Sequence, residues 1–222
     1  MGMEQPVAFT VWEGLTPYPQ AMERMEALRQ QVLAGGPETV VFCEHPPTLT
    51  LGSSASVADI HPSFARTYPE TPILESGRGG KITWHGPGQL VAYPIVRLTR
   101  FHTDIRAYMQ WLQTITQATL ATYNIQAETR QGAELGLWVG GAKIAAFGVK
   151  VRQGITTHGL ALNVSNSLEP YQHFTPCGLT LPVTRVIAHI PNLTTPAILH
   201  TLQRIILNTS TITYRAPSTA TV

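Results

Sequence analysis

The sequence is poor in charged residues. Asp, Glu, Lys and Arg make up only 13% of its 222 residues, and the formal net charge is +2 at pH 7. Surface binding of nucleic acid needs a strongly basic face, so this near balance argues against a nucleic-acid partner. Hydrophobic residues reach 43%, which is typical of a chain that folds around a core and not of a disordered one.

Cysteine is scarce as well. The chain contains two cysteines, Cys43 and Cys177, too few for a disulfide scaffold. Residues 1–9 lack the basic region and apolar run of a signal peptide, and no apolar stretch approaches the roughly 20 residues of a membrane span. We therefore expect a protein of the reducing cytoplasm that has no membrane partner.

The pattern of apolar residues predicts an α+β fold with a central, largely antiparallel or mixed sheet flanked by helices. Strand pairs outnumber strand–helix–strand units, and no stretch has the composition of a domain linker. Residues 52–77 are rich in Gly, Ser and Pro and predict a loop. Strands are expected over 7–12, 39–43, 90–96, 135–139, 143–151 and 155–164, and helices from near Pro17 to Gly35, from about Asp104 to Tyr123 with Ile105 on the buried face, and from Thr195 to about Asn208.

The segment 76–94 holds five glycines within a dozen residues, from Gly77 to Gly88. Glycine lets a backbone approach a ligand closely and exposes its N–H groups. The segment lacks the lysine-serine or lysine-threonine ending of a phosphate-binding P-loop. Composition alone leaves two interpretations open, a ligand-contacting loop or an ordinary hairpin turn. Polar side chains stand among or beside the glycines: Arg78, Lys81, Thr83, His85 and Gln89.

Cys177 lies between Pro176 and Gly178, where a sharp turn could expose its thiol, whereas Cys43 ends an apolar strand and is expected in the core. A free thiol is only a few per cent thiolate at neutral pH and needs a neighbouring cation or base to act as a nucleophile. Lys143 opens an apolar strand and is one candidate partner. Three histidines are rivals: His85, His158 and His173. The eight histidines show no tight metal-ligand spacing, so we expect no metal.

Several short blocks occur in order over roughly residues 40–180. They are Glu44-His45-Pro46 through Gly52, Arg78-Gly79-Gly80, Thr83-Trp84-His85, Gly88-Gln89 with Tyr93, 136–149 (GLWVGGAKIAAFGV), 157–164 (THGLALNV) and Pro176-Cys177-Gly178. No single block is specific, but together they resemble the lipoyl(octanoyl) transferases, also called octanoyl-[acyl-carrier-protein]:protein N-octanoyltransferases or lipoate-protein ligase B.

The resemblance implies the biotin/lipoate ligase-like fold, here as a single catalytic domain over 1–215. Residues 216–222 at the end of the chain are expected to form a disordered tail. It implies Cys177 as the acyl-thioester nucleophile and Lys143 as the residue that lowers its pKa and acts as general base. Two positions depart from the family pattern, Leu135 where proline is frequent and Phe174 where isoleucine is usual. The acyl-binding residues implied are Arg78, Gly79, Gly80, Lys81, Ile82, Thr83, Trp84, His85, Ala146, Phe147, Gly148, Gly159, Leu160 and Ala161.

The activity implied is transfer of an octanoyl group from octanoyl-acyl carrier protein to a lysine of a lipoyl domain. The acceptors would be lipoyl domains of 2-oxoacid dehydrogenases and glycine cleavage proteins, and the enzyme a monomer without a cofactor. Carrier proteins are typically acidic, which makes Arg97, Arg100, Arg106 and Arg152 candidate docking residues. Three alternatives stay open at this point: an ATP-dependent lipoate or biotin ligase, a cysteine hydrolase and a non-catalytic acyl-binding module.

Overall fold

The structure is a computed structural model, and it describes residues 7–175 and 182–210. Cys177 and the predicted tail at 216–222 therefore lie outside the described residues. The elements, in chain order, are β1 (Ala8–Leu15), α1 (Tyr18–Leu33), β2 (Thr39–Glu44), β3 (Thr48–Leu51), α2 (Pro62–Thr67), β4 (Ile73–Glu75), β5 (Ile82–His85), β6 (Gln89–Ile95), α3 (Ile105–Ala121), β7 (Glu128–Arg130), β8 (Gly136–Val139), β9 (Ala142–Arg152), β10 (Ile155–Asn163) and α4 (Thr195–Ser210).

A seven-stranded mixed sheet forms the centre of the fold, in the order β1-β2-β6-β10-β9-β8-β7. Only β1 and β2 pair in parallel, because α1 carries the chain back between them, and the other neighbours are antiparallel. β9 and β10 form a hairpin whose turn residues Gln153 and Gly154 have φ of 51° and 73°. Positive φ at both positions is the geometry that a tight hairpin turn requires. The predicted mixed α+β sheet is confirmed.

A smaller sheet, in the order β4-β3-β5, lies beside the large one. The sequence predicted a loop over 52–77, and this prediction is wrong because that stretch contains α2 and β4. Pro62 stands in the first turn of α2, where its fixed φ suits a helix start and its missing N–H costs nothing. β4 has only three residues, too few for a periodic pattern to reveal it.

Helices cover both faces of the large sheet. On one face α3 and α4 contribute Leu112, Ile115, Leu202 and Ile206 to a core that continues into the sheet. On the opposite face α1 packs Met25 and Val32 against residues of β2 and β6. Ile105 was predicted to be buried, but its side chain is 43% exposed because it begins α3, where the helix has not yet reached the core. No helix of the described residues is long and apolar enough to cross a membrane.

Candidate active site

Two adjoining cavities lie where β5, β9 and β10 meet the glycine-rich segment. The outer cavity has a volume of about 230 Å³. The inner chamber, of about 20 Å³, is lined by side chains deeper in the fold. Five residues line both spaces and so join them: Arg78, Thr83, Ala146, Phe147 and Ala161.

Most of the predicted acyl-binding residues border these two spaces. Trp84 does not, and it packs with Phe64 and Phe174 in a cluster around the small sheet. Gly79 also borders neither space. Besides the five shared residues, the outer cavity is lined by Gly80, Lys81 and Ile82, and the inner chamber by His85, Gly148, Gly159 and Leu160.

The glycine-rich segment rests directly on β9, with Arg78 buried beneath it. The Arg78 guanidinium donates hydrogen bonds to Thr50 Oγ1 at 2.8 Å and to the carbonyl oxygens of Gly79 and Lys81 at 3.0 Å. A Cβ atom at Gly148 would lie 2.8 Å from Arg78 Cδ. Glycine at this position is therefore what allows the buried cation and its loop to approach β9 so closely.

Lys143 lies at the start of β9 and lines the outer cavity. Its Nζ lies 5.7 Å from the centre of the Trp138 ring on β8. A Cβ atom at Gly136 would lie 2.3 Å from Lys143 Cε, so the absence of a side chain there gives the lysine its path into the cavity. Burial lowers the pKa of Lys143 to about 8, with the charge of Glu134 raising the pKa and that of Lys81 lowering it further.

The predicted nucleophile Cys177 lies outside the described residues, which end at Thr175 and resume at Pro182. Both flanks of this stretch reach the outer cavity, since Phe174 and Val183 line it together with Lys143. The Lys143 N–H donates to Pro182 O at 2.8 Å, and the Thr184 N–H donates to Lys143 O at 2.9 Å. Residues 182–184 therefore lie beside the Lys143 backbone.

The histidines that rivalled Lys143 differ from it in charge. Burial lowers the pKa of His85 well below its ordinary value and that of His158 to about 3, so both rings are neutral at pH 7. His173 Nδ1 lies 2.9 Å from Ser63 Oγ. Cys43 is buried as predicted, and burial raises the pKa of its thiol. The part of the chain that the structure describes holds no group of three or more His, Cys, Asp or Glu residues arranged for a metal ion.

Asn163 and Tyr171 also line the outer cavity, although neither was predicted from the sequence. Asn163 Oδ1 accepts hydrogen bonds from Gln89 Nε2 at 3.0 Å and from Tyr171 OH at 3.2 Å, and its Nδ2 donates to Thr184 O at 3.2 Å. A single amide thus connects the cavity wall to the segment beside Lys143. One sign of Asn163 was visible in the sequence: it is a polar residue at the end of the apolar run that forms β10.

Comparison with known proteins assigns the chain to a family. Residues 17–206 match the family model of the lipoyl protein ligase A/B catalytic domain. The octanoyltransferase of Gloeobacter violaceus is 38% identical over 180 residues, covering 80% of this chain and 79% of that protein. The family model thus spans most of the chain, and the relative matches over four-fifths of it.

Solved structures agree in fold. A lipoate-protein ligase A bound with ATP superposes with a TM-score of 0.75 at 15% identity, covering 95% of this chain and 88% of that one. The biotin protein ligase of Aquifex aeolicus, in complex with biotin and ATP, gives 0.53 at 12% identity, covering 91% and 69%. The chain has the biotin/lipoate ligase-like fold and belongs to the lipoyl protein ligase A/B catalytic domain family, within which it is an octanoyltransferase, an acyltransferase of protein lipoylation.

Proposed function

We propose that this protein transfers an octanoyl group from octanoyl-acyl carrier protein to a lysine of a lipoyl domain, through a thioester on Cys177. The acceptors are the lipoyl domains of 2-oxoacid dehydrogenases and glycine cleavage proteins, and the protein acts as a monomer in the cytoplasm. One observation carries the proposal. Lys143, both flanks of the Cys177 segment and the glycine-rich segment border the same cavity in a member of the octanoyltransferase family.

The reaction has two steps. The Cys177 thiolate attacks the carbonyl carbon of the donor thioester, a new C–S bond forms, and the carrier thiolate leaves and takes up a proton. The amine of the acceptor lysine then attacks the enzyme thioester, a C–N bond forms, and the Cys177 thiolate is released while the amine proton passes to Lys143. The donor is already an activated acyl group, so no step needs ATP.

Lys143 serves both steps in different protonation states. As a cation next to the thiol it favours thiolate, and lowering a thiol pKa by two units requires about 2.7 kcal/mol of differential interaction. As a neutral amine it accepts the proton of the attacking lysine. A pKa of about 8 suits both tasks, because each protonation state is well populated near neutral pH.

The outer cavity would hold the acyl chain. Phe147, Phe174, Ile82, Ala145 and Ala161 present apolar surface to it. Burial of each methylene contributes about 0.8 kcal/mol. A thioester carbonyl held near Lys143 would leave the alkyl chain to run along β9 towards Phe147 and the inner chamber.

The decisive experiment is to incubate the protein with octanoyl-carrier protein and measure its intact mass and the modified peptide. An octanoyl adduct on Cys177 that moves to added lipoyl domain is the expected result. Release of free octanoate without transfer would indicate a hydrolase, and tight binding without any adduct an acyl-binding module. An ATP-dependent ligase would modify the lipoyl domain from free octanoate and ATP, with no adduct from the carrier.

Among the candidate docking arginines, we expect Arg106 to matter most for the carrier. Arg97 and Arg100 already pair with Glu38. Arg106 is exposed in a groove that meets the outer cavity at Leu135. Arg152 is the last residue of β9. With a rise of about 3.3 Å per residue along the strand, it lies about 30 Å from Lys143.

Replacing Arg106 with glutamate should raise the KM for the carrier about fivefold and weaken its salt dependence, because an exposed charge near the site steers an acidic partner. Arg152→Glu is the matched control and should leave KM near the wild-type value. Steady-state kinetics at two salt concentrations provide the measurement. Equal effects of the two changes would mean that the carrier does not dock near Leu135.

A further inference from the structure

A groove of about 630 Å³ lies between α3 and β7 and opens into the outer cavity. One face of α3 forms the first wall, and Thr129 of β7 with the adjacent Gln131 contributes to the second. Leu135 lines both the groove and the outer cavity, so the two spaces join there. In the hairpin of β7 and β8, Arg130 pairs with Gly136. Gln131 and Leu135 follow that pair on either side of the turn, so both lie at the junction.

Gln113 lies in the groove beside this junction. The residue is only 4% exposed, yet no described residue accepts a hydrogen bond from its Nε2. Its Oε1 accepts from Gln131 Nε2 at 3.4 Å, which places this amide next to Gln131 and hence at the junction. Turning both amides over would exchange these roles, so Gln113 keeps one unused polar atom in either orientation. A buried polar group without a partner costs free energy, so a ligand that supplied the partner would gain by binding here.

The rest of the groove has mixed walls, with glutamine and threonine side chains beside the apolar surface of Ile105 and Met109. Arg106 is the one charged residue among the described residues that line the groove, and it is exposed. It precedes Gln113 on α3 by about two helical turns, which places the two residues on one face and about 10 Å apart along the axis. The groove thus suits a linear ligand with a neutral amide near the cavity, apolar groups beside it and an anionic group about 10 Å further out.

We propose that this groove binds the phosphopantetheine arm of the octanoyl-carrier protein. The arm is a linear chain with the acyl thioester at one end, two secondary amides separated by methylene groups, and a phosphodiester at the other end. With the thioester held near Lys143, the amide nearer the sulfur meets Gln113, and the phosphate lies towards Arg106. A secondary amide has both an N–H and a carbonyl oxygen, so it pairs with Gln113 in either orientation of the glutamine. This inference rests on the proposed octanoyl transfer and names the part of the donor that the enzyme recognises.

The test compares small donors that share the octanoyl thioester but differ in the thiol. S-octanoyl-pantetheine contains both amides of the arm, and S-octanoyl-2-mercaptoethanol contains none. On the wild-type protein we expect kcat/KM for modification of the lipoyl domain to be at least about tenfold higher with the pantetheine donor, because only that donor can pair with the groove. Equal values would overturn the proposed path of the arm. Failure of both donors and of octanoyl-carrier protein, by contrast, would refute the octanoyl transfer itself.

Gln113→Met keeps the length of the side chain and removes its amide. The ratio of kcat/KM for the pantetheine donor to that for the mercaptoethanol donor should fall at least about fivefold in this variant. Gln203→Met is the matched control, because it makes the same change on α4 at a residue that lines neither the groove nor the outer cavity, and it should keep the wild-type ratio. A folded Gln113→Met protein with the wild-type ratio would contradict the proposal. A rise in the KM for the lipoyl domain alone would contradict it too, since the acceptor would then occupy the groove.

Arg106→Met tests the other end of the arm at an exposed position, so it serves even if Gln113→Met does not fold. On the wild-type protein, S-octanoyl-phosphopantetheine should have about threefold higher kcat/KM than S-octanoyl-pantetheine, because its phosphate meets an exposed arginine. That gain should disappear in Arg106→Met. A gain that survives the change would show that the phosphate lies elsewhere and would overturn the proposed path of the arm.

Discussion

Cys177→Ala should remove both the octanoyl adduct and transfer to the lipoyl domain, with kcat/KM falling by at least about 10³-fold. The loss is large because alanine leaves no atom to carry the acyl group between donor and acceptor. Transfer can be followed by the mass of the lipoyl domain after mixing with octanoyl-carrier protein, and the adduct by intact mass of the enzyme at single turnover.

Cys43→Ala is the matched control because it removes the other thiol of the chain. Cys43 is buried on β2, its Sγ lies 3.7 Å from His45 Nε2, and burial raises the pKa of its thiol, so it stays protonated. We expect the Cys43 variant to form the adduct and to transfer it, with at most a modest loss of stability. A Cys177→Ala protein that still octanoylates the lipoyl domain from free octanoate and ATP would be a ligase.

The long elements of this fold were predictable from sequence, and the short ones were not. β6, β9, β10 and α3 carry apolar patterns over many residues, and the Gln153-Gly154 turn supplies the positive φ that joins β9 to β10. Strands of three or four residues, such as β3 and β5, hold too few positions for a period to emerge. The pairing of β3 with β5 brings the glycine-rich segment onto β9. The site therefore depends on short strands that were not predicted from the sequence.

Side-chain direction and burial were the other missing information. The sequence grouped Trp84 with Thr83 and His85, but Trp84 packs in the cluster around the small sheet. The residues alone also left His85 and His158 as possible partners of the thiol, whereas the family resemblance implied Lys143. Burial lowers the pKa of all three groups, but the lysine starts from a much higher value, so Lys143 keeps a pKa of about 8 while both histidine rings are neutral. Composition cannot reveal such burial, because a histidine beside an apolar residue in sequence can face either solvent or core.

The second large effect is expected in the pH dependence of transfer from the octanoyl-enzyme. In that species the Cys177 sulfur is uncharged, and Lys143 must be neutral to accept the amine proton. The pKa of Lys143 is about 8, so its neutral fraction falls about tenfold for each pH unit below 8. Above that pH most of the Lys143 amine is neutral. The acceptor amine titrates too, near its ordinary pKa of about 10.4, so a direct profile would mix the two groups.

Dividing the wild-type rate by that of Lys143→Met removes the titration of the acceptor. The ratio should rise about tenfold per unit up to about pH 8 and then level off, reaching at least about 10² because general-base assistance typically contributes 10²- to 10⁴-fold. Preformed octanoyl-enzyme mixed with lipoyl domain in a quenched-flow instrument gives both rates, and a ratio that does not change with pH would exclude Lys143 as the base.

A second variant, Glu134→Gln, tests the same assignment. The Glu134 carboxylate raises the Lys143 pKa, so its loss should move the midpoint of the pH profile to lower pH. A midpoint that moves upwards would show that another group titrates.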